Sequence, residues 1–174
     1  MQRGKTMEDR RIYILAQFDE NTNQTLSSIY DNLLQAGLTG EQTKEIPYHF
    51  TLESFDLNCE PQVLERVKAV CAETKAFDVG FTHIGLFGMN VLFLAPSVNI
   101  PLLKLYEKLI PNAEINSCHN WVPHATILID SPGNIQTALP IVAQSFSSFN
   151  AKISSIGVYE FFPKKLIAEY NFSS

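Results

Sequence analysis

Apolar side chains alternate with polar ones in several short stretches of the chain and recur every three or four residues in the segments between them. Every second side chain of residues 12–18 is apolar, which predicts a strand with one buried face. Leu26, Ile29 and Leu33 then recur at helical spacing before Gly37, so a helix is expected over residues 23–36. The same reasoning predicts strands at residues 48–55, 77–87, 91–95, 122–130, 149–161 and 165–172, and helices that begin at Pro61 and at Pro101.

The last predicted helix contains a proline. Its apolar positions are Ile135, Leu139, Val142 and Phe146, which share one helical face. Proline has no N–H to donate and its ring clashes with the preceding turn, so it is tolerated best in the first turn. We therefore expect Pro140 to mark the true start of this helix.

The order of these elements repeats once along the chain. Phe77 and Phe149 lie 72 residues apart, and Gly85 and Gly157 are separated by the same 72 residues. Offsets elsewhere differ by a few residues, as expected of two copies with insertions and deletions in their loops. The pattern predicts a duplicated strand–helix–strand–helix–strand unit.

The two predicted units span residues 11–88 and 89–172, and no linker or change of composition separates them. We therefore expect one bilobal domain over residues 1–174. Its class is α+β, with two mainly antiparallel sheets facing a central cleft and the helices outside. Residues 1–9 are expected to be disordered.

A four-residue pattern occurs at the same place in both units. The sequences HFTL and HATI begin at His49 and His124, and each follows a proline and an apolar run. Because strand side chains alternate between faces, His49 and Thr51 would share one face, and His124 and Thr126 would do the same. Two such strands brought together would form a cleft lined by two imidazoles and two hydroxyls.

This set of side chains suits phosphoryl chemistry without a metal. Imidazole is the side chain whose ordinary pKa allows it to act as base or acid near neutral pH, and two histidines can divide those roles. Threonine hydroxyls can donate to the non-bridging oxygens of a phosphate as charge develops there. Neither His49 nor His124 belongs to a histidine or carboxylate cluster with metal-ligand spacing, and no G-x-S-x-G or glycine-rich phosphate loop is present.

Paired H-x-T motifs about 75 residues apart in a duplicated chain of this size resemble the two-histidine (2H) phosphoesterase superfamily, especially its bacterial 2′-5′ RNA ligase-like and cyclic phosphodiesterase members. The resemblance extends from about residue 11 to residue 172. It implies a bilobal fold with both motifs on central strands, and catalysis on 2′,3′-cyclic phosphates or 2′-5′ phosphodiesters. It further implies that His49 and His124 are the acid–base pair and that Thr51 and Thr126 bind the phosphate. Which histidine is the base stays open.

One position departs from the ligase-like pattern. Those members often carry a basic residue shortly after the second motif, where this chain has Ile129 and Asp130. The source of positive charge at the phosphate is therefore open. The candidate cations are Arg10, Arg11, Lys152, Lys164 and Lys165.

Composition narrows the range of partners. The formal net charge of −5 opposes binding of a long nucleic-acid duplex, whereas a small nucleotide or an RNA end needs only local positive charge. Three cysteines without metal or disulfide spacing are typical of reduced thiols in a cytoplasmic protein. No apolar run approaches the length of a membrane span, and no cofactor is implied.

Four other side chains are weaker candidates for the site. Tyr13 lies on the polar face of the first strand, where its ring could line the cleft and stack on a base. Trp121 precedes the second motif, and packing beside a core strand is the expected role for this residue. His83 has Ser155 as its counterpart in the other unit and His119 lies in a polar segment, so neither histidine is predicted to belong to the site.

The leading hypothesis is a cytoplasmic phosphodiesterase that opens a 2′,3′-cyclic phosphate or cleaves a related phosphodiester. RNA-end ligation or 2′-5′ cleavage is the alternative among enzymes, although it would need a longer and more basic groove. A non-catalytic nucleotide-binding module is the second alternative. A pure binding module has no need of both an acid and a base, so the presence of both motifs disfavours it.

Overall fold

The computed structural model describes residues 10–41, 46–110, 121–161 and 164–173. Most of the predicted elements are present within one to three residues of their expected bounds. The predicted disorder of residues 1–9 and the placement of Cys118 and His119 concern residues outside these ranges. The elements, in chain order, are β1 (Arg11–Phe18), α1 (Glu20–Gln35), β2 (His49–Asp56), a 3-10 turn (Leu57–Cys59), α2 (Glu60–Ala72), β3 (Phe77–Phe87), β4 (Val91–Ser97), α3 (Ile100–Leu109), β5 (Ala125–Ile129), α4 (Pro132–Ser145), β6 (Phe149–Phe161) and β7 (Lys165–Asn171).

Three of the helices begin at a polar cap that the sequence supplies. The side chains of Asp19, Asn99 and Ser131 each accept a hydrogen bond from the backbone N–H three residues further on. These bonds satisfy N–H groups that have no partner within the first turn.

Helix α4 corrects the expectation for Pro140, which lies inside the helix instead of at its start. The Ser131 cap and Pro132 in the first turn set the beginning of the helix eight residues earlier. Ile135, Ala138 and Val142 then bury one continuous face. The burial of that face outweighs the one backbone hydrogen bond that Pro140 cannot make.

The strands correct the expectation of two separate sheets. All seven described strands join one antiparallel sheet in the order β2-β1-β6-β3-β4-β5, with β7 also paired to β6. The physical reason is the length of β6, whose 13 residues connect the two sides of the sheet, β2–β1 and β3–β4–β5. Its residues 149–153 pair with β3, and its residues 153–161 pair with β1.

The strand order is symmetrical about the junction of β6 and β3. Exchanging β1, β2 and β3 for β4, β5 and β6 gives the same order from the other end. A duplicated unit would produce this order if each copy placed its third strand in the half formed by the other. The duplication itself stays a prediction from the sequence.

The two strands that carry the motifs are the outer strands of the described sheet, not central ones as the resemblance implied. They nevertheless contact each other. The sheet must therefore curve until its two edges meet. A main-chain hydrogen bond accompanies this closure, since the N–H of Glu41, ahead of β2, donates to the carbonyl of Ile129 in β5 at 2.7 Å.

The core lies on the face of the sheet opposite the two histidines. Phe18, Phe50 and Phe81 meet there with ring centroids 4.9–5.6 Å apart. The helices pack in two pairs, α1 with α4 and α2 with α3. Cys71 is a buried free thiol and Cys59 a half-buried one. None of the helices in the described ranges is long and apolar enough to cross a membrane.

Candidate active site

Both motifs have the alternation that their sequences predict. His49 and Thr51 are half-buried, and so are His124 and Thr126, whereas the four apolar side chains between and after them are buried in the core. His49 begins β2, and His124 directly precedes β5. The buried side chains are Phe50, Leu52, Ala125 and Ile127.

The two imidazoles are held in the same way. Nδ1 of His49 lies 2.8 Å from the carbonyl oxygen of Pro47, and Nδ1 of His124 lies 2.8 Å from the carbonyl oxygen of Val122. A carbonyl can only accept, so each Nδ1 carries the hydrogen and donates it. Each neutral ring therefore has its lone pair on Nε2, which is the nitrogen available to exchange a proton with a substrate.

Each histidine has a pKa below its ordinary value. Burial lowers the pKa of His49, the hydrogen bond to Pro47 partly opposes this effect, and the charge of His124 lowers it further. Burial also lowers the pKa of His124, against the hydrogen bond to Val122. The charge of His124 is thus one cause of the lowered pKa of His49, and β2 contacts β5, the strand that His124 directly precedes.

His124 lies against two phenyl rings. The ring centroid of Phe87 is 4.6 Å from that of His124, and the centroid of Phe93 is 5.1 Å from it. Phe93 can take this position because its partner in β3 is Gly85. A Cβ atom on Gly85 would lie 2.3 Å from the Phe93 ring.

A polar network occupies the corresponding place beside His49. Gln17, the partner of His49 in the β1–β2 ladder, donates from Nε2 to the hydroxyl of Tyr159 at 3.2 Å and accepts from Ser155 at 3.2 Å. All three side chains are buried. Gly157 makes room for them, since a Cβ atom there would lie 2.5 Å from Tyr159.

The difference between the surroundings of the two histidines was not predicted from the sequence. The signal was present in Gly85 and Gly157, whose equal spacing in the two units marks the positions where a neighbouring side chain crosses the strand. Only the structure shows that the crossing side chains are phenyl in one half and polar in the other.

Tyr13 is not next to Gln17, the residue of β1 that pairs with His49. It is four positions from Gln17 along β1, pairs with Ser54, and packs on Phe161 with ring centroids 4.4 Å apart. The structure therefore joins Tyr13 to the aromatic residues at the end of β6.

Trp121 packs beside the core, as expected. Its ring stacks on Tyr106 with centroids 4.2 Å apart, and its Nε1–H donates to the main-chain carbonyl of Thr51 at 3.0 Å. The residue three positions before the second motif therefore contacts the first motif. No sequence pattern indicated this connection.

Two of the candidate cations have partners at the end of β1 that is remote from Gln17. Arg10 forms a hydrogen-bonded ion pair with Glu160, which raises the pKa of Arg10 and lowers that of Glu160. Arg11 lies 3.4 Å from a carboxylate oxygen of Asp56 and donates to Ser54. Where the structure describes the chain, no group of three or more histidine, cysteine, aspartate or glutamate side chains could hold a metal ion.

A family model described as the 2′-5′ RNA ligase superfamily matches residues 31–161, a range that contains both motifs. Among solved structures, Escherichia coli LigT in its apo form is similar, with 13% sequence identity, a TM-score of 0.61 and coverage of 95% of this chain and 98% of that one. E. coli LigT complexed with 3′-AMP matches at 12% identity and a TM-score of 0.61, with the same coverage. TT0787 of Thermus thermophilus matches at 12% identity and a TM-score of 0.63, over 93% of this chain and 97% of that one.

No curated protein sequence matches the chain significantly. At these low identities, the structural matches establish the similarity of fold alone.

Proposed function

Because the chain belongs to the 2′-5′ RNA ligase superfamily, the 2H phosphoesterases, we propose that it is a metal-independent phosphodiesterase that uses His49 and His124 as its acid–base pair. One observation carries the proposal. Two neighbouring imidazoles stand at the meeting edges of one sheet, and each has its Nδ1–H bound to a main-chain carbonyl so that Nε2 is left for the substrate.

The proposed reaction opens a 2′,3′-cyclic phosphate with water. One neutral imidazole takes a proton from the attacking water as the new oxygen–phosphorus bond forms. The other imidazole, protonated, gives its proton to the ribose oxygen as the bond from that oxygen to phosphorus breaks. The product is a nucleoside 2′- or 3′-monophosphate; the base then releases a proton to solvent and the acid takes one up, which restores both histidines.

In this proposal the hydroxyls of Thr51 and Thr126 stabilise the charge that develops in the reaction. Each lies two residues beyond its histidine on the same strand face, about 7 Å further along. Donation to the non-bridging oxygens would strengthen as negative charge grows on them in the transition state. A substrate phosphate that bridges the two edges would contact both.

A small nucleotide or an RNA end is the proposed substrate class. E. coli LigT, which shares the fold, is known in complex with 3′-AMP. The net charge of −5 disfavours a long polyanion. A single phosphodiester between two half-buried imidazoles carries little negative charge, so the net charge of the protein repels it much less.

The first test is hydrolysis of the four 2′,3′-cyclic nucleotides at pH 7 in the presence of EDTA, with the product identified by ³¹P NMR. We expect one product isomer, because a fixed acid can protonate only the ester oxygen that faces it. His49→Ala and His124→Ala should each lower kcat by about 10²–10⁴-fold, the usual contribution of a general acid or base. His83→Ala is the matched control, since His83 is exposed on β3 and should be dispensable.

Other outcomes identify the alternatives. Turnover of a 2′-5′-linked dinucleotide without turnover of cyclic nucleotides would assign 2′-5′ cleavage or ligation instead. Nucleotide binding without turnover of either would indicate a binding module. Activity abolished by EDTA would contradict the metal-independent mechanism.

A further inference from the structure

Trp121 joins the two motifs in a way that the acid–base mechanism does not use. It is the only tryptophan of the chain and lies three residues before His124. Its indole N–H donates to the main-chain carbonyl of Thr51 at 3.0 Å, a partner 70 residues away in sequence. The hydrogen bond therefore runs from the segment that leads into one motif to the strand that carries the other.

The sheet alone does not fix the distance between the motifs. In the described sheet, β2 and β5 lie at opposite ends of the strand order, so the ladder between them passes through β1, β6, β3 and β4. Small differences in twist accumulate over those intervening strands. A direct bond between the two edges removes that freedom where the substrate phosphate would lie.

The indole is itself held in place. The ring of Tyr106, in α3, stacks on it at 4.2 Å with an angle of 16° between the planes. Helix α3 packs on α2 and carries neither motif, so a ring outside both motifs holds Trp121 while it donates to Thr51.

A second bond runs in the opposite direction. The N–H of Glu41, in the segment before the first motif, donates to the carbonyl of Ile129 at the end of β5. Each motif strand thus accepts a hydrogen bond from the segment that leads into the other motif. The Glu41 bond joins two main-chain groups, whereas Trp121 supplies its bond from a side chain that can be replaced.

We propose that Trp121 is a positioning residue whose indole N–H holds Thr51 of the first motif in place relative to His124 of the second. Its catalytic effect rests on the proposed function, because Thr51 acts there on the phosphate. The hydroxyl of Thr51 stabilises charge that develops in the transition state. A loosened Thr51 should therefore reduce kcat more than it raises KM.

The sharpest test exchanges one atom group. Since the chain has a single tryptophan, β-(3-benzothienyl)alanine can replace it during expression in a tryptophan auxotroph, which puts sulfur in place of the indole N–H and keeps the bicyclic ring. We expect kcat for 2′,3′-cyclic nucleotides to fall about tenfold with KM changed less than about twofold, as small displacements of a catalytic group produce. Trp121→Phe, which also lacks the N–H, should likewise lower kcat while KM changes little.

Phe172→Leu is the control for a general loss of stability. It removes the stack of Phe172 on Phe77, whose ring centroids are 6.2 Å apart, and Phe77 pairs with Ile153 at the junction of β3 and β6. Its Tm should fall while kcat is unchanged. If the benzothienyl protein lost Tm but kept its kcat, Trp121 would be structural only and the proposal would be wrong.

Failure of the proposed function would give a different result. If the unsubstituted protein hydrolysed no cyclic nucleotide, that function would be refuted, and the role of Trp121 would be judged from the binding of inorganic phosphate by calorimetry. Inorganic phosphate carries, on its non-bridging oxygens, more negative charge than the cyclic diester has before its transition state, so weaker phosphate binding by the benzothienyl protein would support the role of Trp121 even where KM for the diester is unchanged. Equal binding by the two proteins, or none by either, would overturn it.

Discussion

At the scale of single residues, the lowered pKa values of His49 and His124 set the pH at which the proposed pair can work. The reaction needs one neutral and one protonated imidazole, so kcat/KM of the free enzyme should be greatest between the two pKa values. Because both lie below the ordinary value of about 6.5, we expect a bell-shaped profile with its maximum below that pH. A maximum above pH 7 would contradict the proposed pairing.

The same shifts predict how stability depends on pH. A histidine whose folded pKa is lowered binds fewer protons in the folded than in the unfolded state between the two pKa values. The contribution to stability is therefore complete above pH 6.5, the unfolded value, and is lost as pH falls towards the folded value. His49→Gln should reduce the fall in Tm between pH 7.5 and pH 5.5, measured by calorimetry.

Repulsion between the two histidines is open to direct measurement. The charge of His124 lowers the pKa of His49, so His124→Gln should raise the pKa of His49 in an NMR titration. An unchanged His49 titration would mean that the two rings are too far apart to share one phosphate.

Gly85 tests whether the phenyl rings position His124. A Cβ atom at Gly85 would lie 2.3 Å from Phe93, which must then move against His124. We expect Gly85→Ala to destabilise the fold by about 1–3 kcal/mol, the usual cost of overpacking, and to lower kcat. Gly80→Ala in the same strand is the control, because the nearest atom to its new Cβ would be 3.7 Å away. Denaturant unfolding and steady-state kinetics give both quantities.

The sequence indicates the site residues that carry a local pattern and misses those that do not. His49 and Thr51 share a face because strands alternate, and the second motif repeats the arrangement. The hydrogen bond from Trp121 to Thr51 joins residues 70 apart, and that from Gln17 to Tyr159 joins residues 142 apart. Such pairs depend on which strands become neighbours, and side-chain periodicity does not indicate which strands pair.

At the scale of elements, α4 shows where a local rule is outweighed. Periodicity located its apolar face, but the proline rule placed its start at Pro140, eight residues after Pro132. Strands were predicted more reliably, since the alternation at the starts of β3 and β6, over residues 77–81 and 149–153, leaves little ambiguity. The pairing of β6 with both halves was not predictable, because its length alone does not indicate its partners.

Removing the interior proline should stabilise α4. Pro140→Ala would restore an N–H that can donate to the carbonyl of Gln136, four residues earlier. The helix should gain about 1–2 kcal/mol after allowance for the added freedom of the unfolded chain. Pro132→Ala is the matched control, since a proline in the first turn breaks no helical hydrogen bond and its removal should give no gain. Chemical denaturation of both variants measures the difference.

At the scale of the whole molecule, the continuous sheet predicts that the two halves unfold together. β6 pairs with β1 and β7 over its residues 153–161 and with β3 over its residues 149–153, so loss of β6 would break the ladder on both sides of the sheet. The expected two-sheet arrangement would instead permit two transitions. Trp121 fluorescence reports the meeting of the two edges, whereas far-ultraviolet circular dichroism reports helices and strands throughout the chain.

These two probes decide between one cooperative unit and two. Leu26→Ala in α1 and Leu102→Ala in α3 each remove a fully buried side chain, one from residues 11–88 and one from residues 89–172. Each should cost about 2–5 kcal/mol and shift both probes to the same lower midpoint, because unfolding of either half separates the strands that β6 joins. If Leu26→Ala shifted only part of the dichroism signal and left the fluorescence midpoint unchanged, the halves would be independent. The site between the two edges would then have to assemble from separately folded parts, and the hydrogen bonds made by Trp121 and Glu41 would form only on that assembly.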